Sequence, residues 1–197
     1  WSFFCPVWHT GQAVKSLAEA YDATGEIKFL YAAKSGAAFI TANQITDKND
    51  PDYGLIMAYE DKDDQVNTSA ILECLDGLFS LDVKRYSENI LSAAEWSVKK
   101  AWIEGKGLVM DLYDPRSRSF IEKPYGGHEG RPLLDDGIFL KAFKMSGKSI
   151  FRDVFFEIAD RLLHDEYPEG NWVNYTPCNR KTGSIHPRHA YWWGYPM

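Results

Sequence analysis

The strongest constraint in this sequence is a recurrence. The segment Ala20-Tyr21-Asp22-Ala23-Thr24-Gly25 returns as Ala142-Phe143-Lys144-Met145-Ser146-Gly147, and the two glycines stand 122 residues apart, two steps of 61. Each glycine ends a stretch with helical apolar spacing and suits the left-handed position that closes a helix. Before Gly25, Val14, Leu17, Ala18 and Tyr21 fall at i, i+3, i+4 and i+7 on one face. After it, Leu30, Ala33, Ala37 and Ile40 form a second stripe. The small residues Ala32, Ala33, Gly36, Ala37 and Ala38 let that helix pack closely on a neighbour. Two helices joined by so short a turn make an antiparallel hairpin.

The pattern occurs three times. In the middle copy, Ile71, Cys74, Leu75 and Leu78 follow Asn67-Thr68, a good N-cap pair. Ser80-Leu81-Asp82 is the expected turn, and Tyr86, Ile90, Ala93, Ala94, Ala101 and Trp102 mark the return helix. In the third copy, Phe139, Leu140 and Phe143 precede Gly147, and Ile150, Val154, Ile158, Ala159 and Leu162 follow it. The hairpins are thus expected at about 11–42, 67–103 and 133–164 of one partial domain spanning 1–197. A hairpin recurring every ~60 residues predicts an all-α helical solenoid or closed toroid. The connecting segments 43–66, 104–131 and 165–197 are long for a bundle and rich in Gly, Pro, Asp and aromatics. Long connections on a regular scaffold usually carry function. One predicts a small β-hairpin: Leu108 to Tyr113, the turn Asp114-Pro115-Arg116-Ser117, then Ser119 to Glu122.

Composition removes several classes. Lys and Arg number 22 against 28 Asp and Glu, a net charge of −6. The chain therefore lacks the basic footprint of a nucleic-acid or anionic-membrane binder. No apolar run approaches the ~20 residues of a membrane span. Three cysteines, Cys5, Cys74 and Cys178, are too scattered for a disulfide scaffold and read as packed thiols. The loop glycines Gly105, Gly107, Gly126 and Gly127 have no phosphate-binding context, and the histidines match no strong zinc spacing, so no cofactor or metal is implied. Asp61-Lys62-Asp63-Asp64 reads as a solvated loop. Both ends are aromatic, from Trp1 to Trp8 and from Tyr191 to Met197, which predicts an internal piece of a longer chain.

The stretch Trp8-His9-Thr10-Gly11-Gln12-Ala13-Val14, with Ala20 to Gly25 and the Ala-rich return helix, resembles the hairpin repeat of six-hairpin (α/α)6 toroid carbohydrate-active enzymes. Within that group it is similar to unsaturated glucuronyl and rhamnogalacturonyl hydrolases and to toroid β-glucuronidases. Six such hairpins need roughly 360 residues, so three make half a toroid. The resemblance implies a glycoside hydrolase acting on a uronic-acid-containing glycan, with a carbohydrate as its partner. In such a ring the segments that precede the inner helices meet at one mouth.

Those segments concentrate the candidate residues. Asp135 and Asp136 stand at the expected start of the third inner helix. Glycoside cleavage needs a proton donor and often a second carboxylate, and the resemblance makes Asp136 or Asp135 the general acid. The plainer alternative is that either one caps a helix. His9, beside Trp8 and Gln12, is placed to share proton transfer or to bind a hydroxyl, or else to serve as a structural donor at a helix start. Arg131 leads toward the third inner helix, and His186, Arg188, His189, Trp192 and Trp193 cluster where a fourth hairpin would begin. Arg188 suits a bidentate grip on a uronate carboxylate. Trp8, Trp192 and Trp193 offer flat faces to sugar rings, although the same aromatics could close the end of the core. Two other readings stay open. One is a uronate lyase or epimerase using Tyr191 or Tyr195. The other is a non-catalytic helical-repeat scaffold.

Overall fold

The computed structural model describes residues 6–59, 65–122, 130–134 and 137–166. It is a mainly helical chain of three antiparallel hairpins: α1 (Pro6–Thr24) with α2 (Ile27–Ala42), α3 (Thr68–Asp82) with α4 (Ser87–Lys100), and α5 (Ile138–Ser146) with α6 (Ser149–Asp165). Among the described residues, five short strands lie between them: β1 (Val66–Asn67), β2 (Trp102–Ile103), β3 (Leu108–Val109), β4 (Leu112–Asp114) and β5 (Ser119–Phe120).

Two of the turns form as the glycines require. Gly25 has φ +70° and its N–H donates to the Tyr21 carbonyl at 2.7 Å. Gly147 has φ +71° and donates to Phe143 at 2.8 Å. Both carry a left-handed cap that a side chain would strain. Asn67 caps α3, its side-chain oxygen accepting from the Ala70 N–H at 3.2 Å.

Three local expectations are corrected. Helix α1 is already formed at Pro6, the first described residue, and does not begin near residue 11, so Trp8 to Gln12 are helical rather than part of a preceding loop. The middle turn is not Ser80-Leu81-Asp82. Helix α3 runs through Asp82, and residues 83–86 reverse the chain, helped by the Asp82 carboxylate accepting from the Arg85 N–H at 3.0 Å. Finally, the expected β-hairpin forms between β4 and β5, but Leu108 to Tyr113 is not one arm of it. Leu108 and Val109 pair back onto Ile103 and Trp102, while Tyr113 and Asp114 pair with Phe120 and Ser119. Trp102 is therefore a strand residue beyond the end of α4.

Helices α1 and α3 run parallel and nearly touch. A Cβ on Gly11 would stand 2.8 Å from the Cys74 Cα, and one on Gly77 would stand 2.5 Å from the Gly11 carbonyl oxygen. Gly77 also faces Val14, so position rises along both helices together. Gly36 brings α2 against α1, where a Cβ at this position would stand 2.6 Å from a Val14 methyl and 3.2 Å from that of Thr10. Helix α3 is the centre of the core, buried without interruption from Thr68 to Leu78. It is walled by residues such as Val14, Ile40, Ile90, Ala94, Phe139 and Phe151. The first and last hairpins carry exposed large apolar side chains: Ile27, Tyr31 and Phe39 on α2, and Ile150, Phe156 and Leu163 on α6. None of the described helices is long and apolar enough to cross a membrane.

Candidate functional site

The helix order places the starts of the three inner helices at one end. Helices α1 and α3 are parallel. Helix α4 runs back toward the start of α3, because its exit at β2 leads through β3 to β4, which pairs with β1 just before α3. Helix α6 also runs toward that end. Its Glu157 carboxylate accepts from the Gly107 N–H at 2.7 Å and the Trp102 indole at 3.2 Å, and Arg161 donates to the Lys106 carbonyl at 3.3 Å. Because α5 is antiparallel to α6, α5 begins there too. The described starts of α1, α3 and α5 therefore lie at one end, the rim of the paired helices.

The segment 108–114 is the spine of this rim. Val109 exchanges backbone hydrogen bonds with Arg131 at 2.7 and 2.9 Å. The Thr68 N–H donates to the Asp111 carbonyl at 2.9 Å, and its hydroxyl lies 2.8 Å from the Met110 carbonyl and 3.2 Å from that of Asp111. The Asp111 carboxylate is buried and meets the Arg131 guanidinium twice: Nη2 donates to Oδ1 at 2.7 Å, and Nε lies 2.5 Å from Oδ2. Asp111 sits inside the apolar run Leu108 to Tyr113. A charge embedded in such a run is a signal for a buried pair, but it names no partner.

A second buried carboxylate anchors the loop 43–59 beneath the rim. Asp52 accepts from Tyr113 Oη at 2.7 Å and Trp96 Nε1 at 3.2 Å, with Lys100 Nζ at 3.3 Å and Arg118 Nε at 3.7 Å. Burial alone would raise the Asp52 carboxyl. The hydrogen bonds from Tyr113 and Trp96 and the charge of Lys100 outweigh it and hold the group below the usual carboxylate range. Burial first, and then the Asp52 carboxylate, push the Tyr113 phenol up. The same loop is tied to α4 by Gln44, whose amide donates to Asn89 O at 2.9 Å, Gly54 O at 3.1 Å and Ser92 Oγ at 3.2 Å.

A third buried acid joins the inner helices to one another. The Asp76 side chain on α3 pairs with Lys15 of α1 at 2.8 Å and with Lys141 of α5. Lys141 also lies 5.0 Å from the Phe79 ring centroid. The Cys74 thiol is buried, donates to the Val7 carbonyl at 3.3 Å, and is pushed up chiefly by that burial, so it is no nucleophile.

The expected site residues divide into two groups. Among the described residues, Trp8, His9 and Gln12 lie on the rim-side half of α1. His9 is exposed, Trp8 and Gln12 are half-buried, and the Trp8 and His9 rings stack at 6.3 Å and 20°. The Trp8 indole N–H is buried and has no partner among the described residues. Arg131 lies at the same end, held by Asp111. Asp135, Asp136, His186, Arg188, His189, Trp192, Trp193, Tyr191 and Tyr195 lie outside the described residues, as do His128 and Asp61 to Asp64. Asp135 and Asp136 directly precede Gly137, which holds the N-cap position of α5 with φ +65°. Asp52, Asp111 and Asp76 drew no attention in the sequence, because their partners come from distant segments. Among the described residues, no group of three His, Cys, Asp or Glu could hold a metal ion.

No protein-family model matches the chain, and no curated protein matches it by sequence. Solved structures do match its fold. An inactive variant of the α-1,6-mannanase GH76A of Salegentibacter sp. HEL1_6, with two consecutive aspartates replaced by alanine and α-1,6-mannotetrose bound, aligns with a TM-score of 0.59 at 14% identity. The match covers 82% of this chain and 47% of that one. A D-mannose isomerase aligns with a TM-score of 0.56 at 14% identity, covering 79% of this chain and 40% of that one. The chain thus spans less than half the length of either structure, and it shares with both a fold of paired helices.

Proposed function

We propose that this chain forms part of a carbohydrate-processing enzyme, a glycoside hydrolase in which Asp135 and Asp136 are the working carboxylates. The observation that carries this reading is the common rim at the starts of α1, α3 and α5, with the consecutive pair Asp135-Asp136 immediately before α5. The mannanase with the similar fold is inactive when two consecutive aspartates are replaced. Glycoside cleavage divides its work between two acids. One protonates the leaving oxygen, and the other acts as nucleophile or activates water. In this reading the exposed His9 and the half-buried Gln12 contact hydroxyls, with Trp8 beside them on α1. The substrate class favoured by the fold comparison is an α-mannoside chain.

A second reading keeps the uronic-acid glycan. It is supported by the cluster His186, Arg188, His189, Trp192 and Trp193, in which a guanidinium could grip a uronate carboxylate and indoles could stack on the ring. One assay set separates these readings. Release of shorter oligosaccharides from α-1,6-mannotetraose supports the first. Loss of the ultraviolet band of an unsaturated uronide supports the second, and a rise of that band on a polyuronate marks a lyase. Conversion of D-mannose to a ketose without any cleavage points to an isomerase. No turnover on any of the four overturns the enzymatic reading and favours a binding scaffold.

A further inference from the structure

We infer that Asp111 is a positioning residue: by clasping Arg131 it fixes residues 130–134, the described stretch on the approach to α5. The inference rests on the glycosidase reading above and adds a residue to its machinery. Three observations meet at Asp111. Its carboxylate is 1% exposed and takes Arg131 in a two-point contact. Its carbonyl receives the first backbone N–H of α3 from Thr68. Its strand neighbour Val109 exchanges two backbone hydrogen bonds with Arg131. One residue therefore locks the start of α3 to the approach of α5.

The fit around the clasp is tight. A Cβ on Gly130 would stand 2.5 Å from the Val109 carbonyl oxygen, so only glycine lets this segment lie against the strand. Leu133 is buried three residues later, and the Gly137 N–H donates to Leu134 at 2.8 Å. Only three residues stand between Arg131 and Asp135. A buried ion pair adds little net stability compared with apolar packing, but it holds a specified geometry. Misplacing catalytic groups by about 1 Å can cost on the order of 100-fold in rate. The two-point contact occupies the Arg131 guanidinium with Asp111, and the inference assigns it to holding the segment rather than to gripping substrate.

The test compares the unaltered 197-residue chain with Asp111→Asn, Arg131→Lys and the double variant. The first readout is hydrolysis of α-1,6-mannotetraose. The second is hydrogen–deuterium exchange of the peptide covering 130–137. The expected result is a fall in kcat of roughly 10- to 100-fold in each variant, with KM within about threefold and faster exchange confined to 130–137 and the first turn of α5. The double variant should lose no more than the worse single one, because the residues act as a unit. Arg131→Lys keeps the charge, so it remains informative if Asp111→Asn folds poorly. A raised KM at constant kcat in Arg131→Lys would mark a substrate contact and overturn the inference. Unchanged exchange, unchanged kcat or additive losses would overturn it as well. If the unaltered chain turns over no glycan, the glycosidase reading falls, and the exchange data alone decide whether the clasp orders the segment.

Discussion

Tyr113 donates a 2.7 Å hydrogen bond to Asp52, a residue 61 positions earlier in the chain. That bond joins the loop after the first hairpin to the strand after the second, and Trp96 adds the outer helix α4 to the same carboxylate. Tyr113→Phe should cost about 1.5–3 kcal/mol, the usual worth of a hydrogen bond to a charged group. Asp52→Ala should cost more, about 3–5 kcal/mol, because it strands Lys100 in a half-buried place. Chemical denaturation of the two variants measures both, and equal stabilities would refute the ranking.

The same pair sets a pH dependence. A carboxyl held below its ordinary value in the folded state stabilises the protein above the unfolded pKa of about 4 and loses that contribution as pH falls through the folded value. Tyr113 has the opposite shift. Its contribution is complete below about pH 10 and declines as pH rises beyond that. Melting temperature should therefore drop at both extremes. Asp52→Asn should flatten the acid limb, and Tyr113→Phe the alkaline limb.

The contact of α1 with α3 admits no side chain at two positions. Gly11→Ala and Gly77→Ala each drive a methyl into backbone atoms of the facing helix, at 2.8 and 2.5 Å. Overpacking of this kind costs about 1–3 kcal/mol or more. Gly25→Ala is the control: it meets nothing within 4 Å and suffers only its positive φ, a cost of about 1–2 kcal/mol. Thermal melts should rank Gly77→Ala below Gly25→Ala.

Asp76 is the shared partner of Lys15 and Lys141. Asp76→Ala should destabilise by about 3–5 kcal/mol, since it leaves two ammonium groups facing each other in a partly buried place. Replacing Lys15 alone by Met should cost far less, because Lys141 still neutralises the acid. A urea titration that found the two substitutions equivalent would refute this account of the inner-helix pairing.

For the proposed carboxylates, Asp135→Asn and Asp136→Asn should each lower turnover by at least about 1000-fold. Gly137, not either aspartate, occupies the N-cap of α5, so the melting temperature should move by less than about 3 °C. A large drop in stability with activity retained would make the pair structural.

What could be read in the sequence was local. Gly25, Gly147 and Asn67 announce helix ends through their own backbone and side-chain chemistry, and the three hairpins follow from them. Trp8, His9 and Gln12 break no rule of a loop, so nothing local to them announces that they are helical. Leu108 to Tyr113 reads as one strand because an apolar run does not reveal that a segment changes partners midway. Asp52, Asp76 and Asp111 escaped notice for a related reason: each is defined by a partner distant in sequence, and no spacing rule points across such gaps.

Helix α3 is enclosed on every side through its first eleven residues. An element so placed cannot acquire its native surroundings until hairpins on both sides have docked. The middle of this chain should accordingly be the last region to open under denaturant and the slowest to exchange its amide protons, with the peripheral pairs α1–α2 and α5–α6 detaching first.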